Sequence, residues 1–462
     1  MDIETDYLVV GAGASGLAFA DTLLAEADVD VVIVDRRSHP GGHWRDAYPF
    51  IQLHAASAYY GVNSMHLGQD RLIESGRNAG FYEQAGGDEI RAYFERVVEE
   101  RLTPTGRARF LAQHEHLGGE GDEHQVRDLR NGEVHTVRVR RSLVDARYLE
   151  GSIPATHQPS FTVAPEASFI PVNDLPVAAD GHRRFTVIGG GKTSADACLW
   201  LLDKGVSPEQ IRWVRPRDAW FIDRASLQPL DQVAALIEGI SYDAEAAAEA
   251  TDLQDLMDRL EDKGRHMRLD PRVSPTMFRG TMLSRRELAD LREIEDVVRL
   301  GRLRAIETDR LVLDDGELPT SADVLHVDCS AHGIRTAETV PAFATGRIVI
   351  QQVRQASPTF NAALTAFVEA HRDDDEEKNR LCPPHPYTSR IQDWGPLMRR
   401  TWATELVWLK EPDVASWIAA SRLSILQALP EHSHEPRAQE ALTRYLTNVG
   451  PATERLATLP VH

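Results

Sequence analysis

Two glycine-rich turns carry the first chemistry that can be read in this chain. Gly11-x-Gly13-x-x-Gly16 follows the apolar run Leu8-Val9-Val10 and leads into a segment with Leu17, Ala20, Leu23 and Leu24 at helical spacing. A second apolar strand closes at Asp35, followed by Arg36. This is the order of a βαβ dinucleotide-binding unit. Gly11 permits the tight turn, Gly13 lets a pyrophosphate approach the backbone, and Gly16 lets the helix pack close to the sheet. Ala14 and Ser15 open that helix, whose unpaired N–H groups and positive dipole end suit phosphate. Asp35 stands where a carboxylate accepts hydrogen bonds from ribose hydroxyls.

The same grammar returns later. The strand Arg184 to Ile188 runs into Gly189-Gly190-Gly191-Lys192-Thr193-Ser194 and a helical segment. Its following strand ends at Arg215, with Arg217 just beyond, rather than at an acid. Asp35 suits a free 2′-hydroxyl, whereas Arg215 and Arg217 suit a 2′-phosphate. FAD is therefore expected at the first turn. NADPH is expected at the second, held by Gly189, Gly191, Lys192, Thr193, Ser194, Arg215 and Arg217.

Those turns must be positioned by a large scaffold, and 462 residues suffice for two or three domains. The fold class expected is α/β: two Rossmann-like domains, with a helical insertion and a helical C-terminal tail. The formal charge of −20 argues against nucleic acid or an anionic membrane as partner. No apolar run is long enough to span a bilayer, and the first residues enter a strand without leader-like features, so a cytoplasmic location is expected. The three cysteines, Cys198, Cys329 and Cys382, form no CxxC or CxxxxC pair, which removes dithiol redox chemistry and a cysteine zinc site. No metal site is expected.

After the first unit comes Gly41-Gly42-His43-Trp44, then Tyr48-Pro49, His54, Ser57 and Tyr60. G-G-x-W followed by Y-P-x4-[acid]-x2-S-x2-Y resembles the class B flavoprotein monooxygenases, which include Baeyer–Villiger, flavin-containing and N-hydroxylating members. The resemblance covers both glycine turns and this loop. It implies that Gly42, His43 and Trp44 wall the flavin. It also implies that His54 stands where Baeyer–Villiger members carry an aspartate beside the flavin. A histidine there offers a group that exchanges protons near neutral pH, so His54 is a catalytic candidate. The family's F-x-G-x3-H-x3-aromatic segment is only echoed by His157 and Phe161, without the F-x-G.

Further along, Asn131-Gly132 marks a hairpin within a β-meander over residues 107–148. A proline-rich linker over 151–180 crosses into the second domain. Trp220-Phe221 beside Arg224 is placed at the nicotinamide or substrate side, which makes Arg224 the second catalytic candidate. Residues 229–300 read as a helical insertion, a common place for a substrate lid. Cys329-Ser330-Ala331 resembles the family's A-T-G crossover and has no visible nucleophile's partner. A strand through Gln352 precedes Ser357-Pro358, expected as N-cap and first residue of a helix containing Phe360. In related flavoproteins such a helix aims its N-terminus at the flavin, so Gln352, Ser357 and Phe360 are cofactor candidates. The domains expected are residues 1–152 and 323–372 for FAD, 180–322 for NADPH, and 373–462 as a helical tail over the site or at a homodimer contact.

The resemblance implies an NADPH-dependent monooxygenase that transfers one oxygen atom from a flavin (hydro)peroxide to a small organic substrate, at nitrogen, sulfur or a carbonyl. Dioxygen and that substrate are the expected partners. The alternative is an NAD(P)H-dependent flavin reductase or oxidase that oxygenates nothing. A flavin-bound sensor without turnover fits less well, because a second nucleotide unit is present.

Overall fold

The computed structural model describes residues 3–331 and 333–460. Ile3–Val10, Ala14–Glu26 and Val31–Asp35 form the first βαβ unit. Its sheet runs in the order Phe343–Ala344, Arg347–Val349, Val134–Asp145, Ile3–Val10, Val31–Asp35, Ala108–Ala112, and all but the Phe343–Ala344 pairing is parallel. The sequence returns late in the chain to complete this sheet. Helix Pro358–His371 then packs on Ala14–Glu26, closing an apolar layer around Phe19, Leu23, Phe360 and Leu364. The meander, His114–Glu120, Glu123–Asp128 and Val134–Asp145, is antiparallel and turns through Gly132 at φ +77°.

The second sheet is parallel throughout, in the order Val297–Val298, Ile211–Val214, Arg184–Ile188, Val324–Asp328, Phe169–Pro171. Helix Lys192–Asp203 covers it with Ala195, Cys198, Leu199 and Leu201 buried. The insertion holds the helices Val233–Glu249, Leu253–Asp262 and Arg285–Arg292. It also contributes strands that helical periodicity did not signal: His266–Met267 and Met277–Leu283 pair with Ala219–Asp223 in a three-stranded sheet.

The tail contributes Trp394–Leu409, Pro412–Ala420 and Pro436–Thr458. The last of these lies along Val233–Glu249, and Trp394, Trp402, Ala452 and Leu456 share a core with the insertion. The tail is thus built into the fold beside the insertion. Among the described residues no helix is long and apolar enough to cross a membrane.

Candidate active site

The first turn has the strain and closeness that its glycines allow. Gly11 sits at φ +110°, and a Cβ on Gly16 would stand 1.9 Å from the Gly11 carbonyl oxygen. Helix Ala14–Glu26 has no side chain capping its first turn, which leaves the N–H groups around Ala14, Ser15 and Gly16 for an anion. Asp35 is buried; its carboxylate accepts from the Ala12 N–H at 2.7 Å and the Arg37 N–H at 2.8 Å, so its orientation is fixed. Arg36 is exposed and pairs with Glu150 at 2.5 Å.

Gly41 and Gly42 fold back onto this turn. The Gly41 N–H donates to the Ala12 carbonyl at 2.8 Å, and a Cβ on Gly42, at φ +58°, would lie 2.9 Å from the Gly13 Cα. Trp44 is buried and donates its indole N–H to the Tyr60 hydroxyl at 2.8 Å, whereas His43 is exposed.

At the second turn, Gly189 is at φ +145° and its carbonyl accepts the Trp213 indole N–H at 2.9 Å. Space beside Gly191 is open: a Cβ there would meet nothing within 4 Å. Helix Lys192–Asp203 again lacks a side-chain cap. The Ser194 hydroxyl donates to the Gly191 carbonyl at 2.8 Å and is wholly buried, so it braces the turn from inside. Lys192 pairs with Asp196, and Asp196 also accepts the Tyr48 hydroxyl at 2.7 Å. Thr193 reaches that same hydroxyl. Tyr48, on the loop from the first domain, therefore clips the two nucleotide domains together.

Several expected site residues have other surroundings than their types suggested. Arg215 does not reach the surface. Its guanidinium is wholly buried over the Trp213 ring at 4.3 Å and 3.6 Å from Asp218, and burial pushes it down to about 10. The exposed cation at this strand end is Arg217, whose charge is felt alongside Arg279 and Arg302. Phe360 is fully buried under Arg354, 4.4 Å from ring to guanidinium, and packs on Trp408; it belongs to the core. Ser357 occupies the N-cap position with Pro358 next, but its hydroxyl donates to the Gln355 carbonyl at 3.2 Å instead of capping.

Arg224 is also buried, and its donors are committed. Nε donates to the His54 carbonyl at 3.1 Å, Nη1 to Asn78 at 2.5 Å and Glu287 at 2.6 Å, and Nη2 to the Met282 carbonyl at 3.2 Å. It is a clamp that ties the His54 loop to the insertion. The half-buried His54 imidazole is held well below its usual range by burial, then by Lys192 and Arg224. That direction favours the neutral imidazole and works against the proton exchange near neutral pH that its residue type suggested. Cys329 is buried and its thiol pushed well above the ordinary value, so it is inert.

Between these elements lies an apolar cavity of about 260 Å³. Leu53, Ala56 and Tyr59 line it from the first domain, Ile222 and Phe278 from the second, and Trp402 from the tail. Ser357, Pro358 and Thr359 bring the uncapped N-terminus of helix Pro358–His371 to its wall, after Ala356 at φ +55°. Gln352 braces this turn, its side-chain oxygen accepting the Ala356 N–H at 3.4 Å. Sequence reasoning missed Tyr48–Asp196, the Arg217 cluster and Arg422. Arg422, in the tail, donates to the carbonyls of Val62, Ala58 and Tyr60 at 2.7–3.0 Å and pins the His54 loop from outside. No local pattern announces such contacts; only the G-G-x-W loop gave a partial signal, by placing Tyr48 near a nucleotide.

Comparison with known proteins agrees with this arrangement. Residues 9–73 match the family described as an NAD(P)-binding Rossmann-like domain. An oxidized steroid monooxygenase bound to NADP superposes with a TM-score of 0.51 at 15% identity, over 98% of this chain and 97% of that one. The uncharacterized protein Rv2000 of Mycobacterium tuberculosis is 42% identical over 460 residues, covering 99% of this chain and 84% of its own. The uncharacterized protein Mb2023 of Mycobacterium bovis matches to the same extent. The fold is that of two Rossmann-like units in one chain, an architecture this chain shares with that steroid monooxygenase. Within it, the chain belongs to the family of the mycobacterial protein Rv2000.

Proposed function

We propose that the protein is an FAD- and NADPH-dependent monooxygenase acting on a small, largely apolar organic molecule at nitrogen, sulfur or a carbonyl. The carrying observation is the cavity of about 260 Å³, lined at once by the first-domain loop, the Pro358–His371 helix end, the insertion and the tail. An apolar pocket at the meeting of domains is where a reaction between two cofactors and a small substrate is best protected from water.

The residues fit the two groups. Gly11, Gly13, Ala14, Ser15, Gly16 and Asp35 would hold FAD, and the open face of Gly191, with Lys192, Thr193 and Arg217, would hold NADPH. When bound, NADPH supplies hydride and FAD supplies electron transfer to dioxygen. The chain itself contributes orientation and charge. Arg217, with Arg279 and Arg302, concentrates positive charge for a 2′-phosphate. The uncapped helix end at Ser357 offers a positive dipole where negative charge develops. The neutral His54 imidazole can donate or accept a hydrogen bond beside the cavity without adding charge.

The test is stoichiometry. Purified protein loaded with FAD is given NADPH, oxygen and a panel of amines, sulfides and ketones. Oxygenation of at least one member, with peroxide well below NADPH consumed, supports the reading. Peroxide equal to NADPH across the panel selects the reductase or oxidase instead.

A further inference from the structure

The meander gathers imidazoles that the nucleotide chemistry does not use. Antiparallel pairing sets His114 opposite Asp128 and Val126 opposite His135, so alternation along Glu123–Asp128 puts His114, Asp128 and His135 on one face. One donor atom from each lies within 4.8 Å of the others. His114 and Asp128 are buried and His135 half-buried. From these residues the geometry points to a divalent transition-metal site of two imidazoles and one carboxylate, one ligand from each strand of the meander.

The surroundings prepare the ligands. His114 Nδ1 lies 2.7 Å from the Ala112 carbonyl, an acceptor that fixes the proton on Nδ1 and leaves the Nε2 lone pair directed at the cluster. That Nε2 is 4.0 Å from Asp128 Oδ2. Arg130 holds the same carboxylate through its backbone N–H at 2.9 Å, Nε at 2.9 Å and Nη2 at 2.7 Å. Hydrogen bonds of this kind orient a ligating carboxylate. Metal–nitrogen and metal–oxygen bonds of about 2.1 Å put tetrahedral ligands roughly 3.4 Å apart, so donor atoms that lie within 4.8 Å of one another need to close by at most about 1.4 Å to hold an ion. Two imidazoles with a carboxylate suit Zn²⁺ and its neighbours, and solvent completes the shell. The neighbouring pair His116 and His124 differs: their ring nitrogens are 3.2 Å apart and satisfy each other.

The site is structural. It clips all three meander strands, and Ala112, which positions His114, pairs with Asp35 in the first sheet. An ion here would brace the strand beside the ribose-binding carboxylate.

Tag-free full-length protein, stripped with a chelator, is titrated with Co²⁺ followed by visible absorption, then with Zn²⁺ in competition. The expected result is one equivalent of Co²⁺ per chain with tetrahedral d–d bands, displaced by Zn²⁺. His114→Asn and His135→Asn should each weaken binding at least tenfold, and His116→Asn should leave it unchanged. Because His114→Asn can disturb the buried face, Cu²⁺ bound to the wild-type chain is also examined by electron paramagnetic resonance. Coupling to two imidazole nitrogens is expected. Absent saturable binding, no imidazole coupling, or loss of binding in His116→Asn with retention in His135→Asn would each overturn the site.

Discussion

The Tyr48 hydroxyl donates to Asp196 Oδ2 at 2.7 Å, joining the loop of the first domain to the helix that opens the second nucleotide site. Asp196 is shared with Lys192, so this one contact aligns the cation of the second site with the domain opposite. In Tyr48→Phe the carboxylate oxygen loses a buried partner, at about 1–3 kcal/mol. Chemical denaturation should show that loss, and stopped-flow reduction of the flavin by NADPH should slow severalfold. An unchanged midpoint together with an unchanged reduction rate would contradict the clip.

Arg217 and Arg215 should separate cleanly. Arg217→Ala removes the exposed cation and should raise the NADPH Michaelis constant about 10- to 100-fold while leaving that for NADH nearly unchanged, as expected for one charge-assisted phosphate contact of about 1.5–3 kcal/mol. Arg215→Ala empties a buried position and should lower stability without changing the ratio of the two constants. Equal effects of Arg217→Ala on both nucleotides would remove the phosphate assignment.

Gly191→Ala tests the open face of the second turn. The added methyl meets no protein atom within 4 Å, so folding and flavin content should be retained while NADPH binding measured by calorimetry falls at least tenfold. Gly16→Ala, whose Cβ would stand 1.9 Å from the Gly11 carbonyl oxygen, should instead cost stability and flavin. Wild-type NADPH affinity in Gly191→Ala would place the nucleotide elsewhere.

Breaking the buried Arg224–Glu287 pair at 2.6 Å should destabilise strongly. Burial works to raise the Glu287 carboxyl, but Arg224 and Lys192 outweigh it and hold it low. Glu287→Gln leaves Arg224 without its counter-charge, at about 3–5 kcal/mol, read as a shift in the urea midpoint. A shift below about 1 kcal/mol would mean that the pair is not the clamp inferred here.

Stability should fall as pH falls through the range of unfolded histidine. Burial holds the His385 imidazole down to about 4, so between about pH 4 and the unfolded value near 6.5 the unfolded chain binds a proton that the folded chain does not. Stability therefore rises with pH across that window and is full above it; at pH 5 the loss from this one residue is about 2 kcal/mol. His385→Asn should flatten that part of the thermal-stability profile. His54 is lowered for the same reason, so a rate profile with a break near 6.5 that vanishes in His54→Asn would contradict its neutral state.

Backbone grammar was legible in the sequence. The glycine turns, Asp35, the hairpin at Asn131-Gly132 and Pro358 at a helix start each follow from what one residue type permits at one φ, and each acts over a few neighbours. What side chains do at the ends of those elements was not legible. Arg215 and Arg217 look alike in a row of letters, yet one is sealed against Trp213 and the other exposed, because inside and outside past a strand's end depend on what packs there. Phe360, one turn into its helix, was drawn into the core by Trp408 and Arg354, and Arg224 by acceptors from three distant segments. The local chain thus determined where the two glycine turns form. The tertiary structure decided which cations face them and which histidines meet, since those are contacts between segments far apart in sequence, fixed only when the layers close.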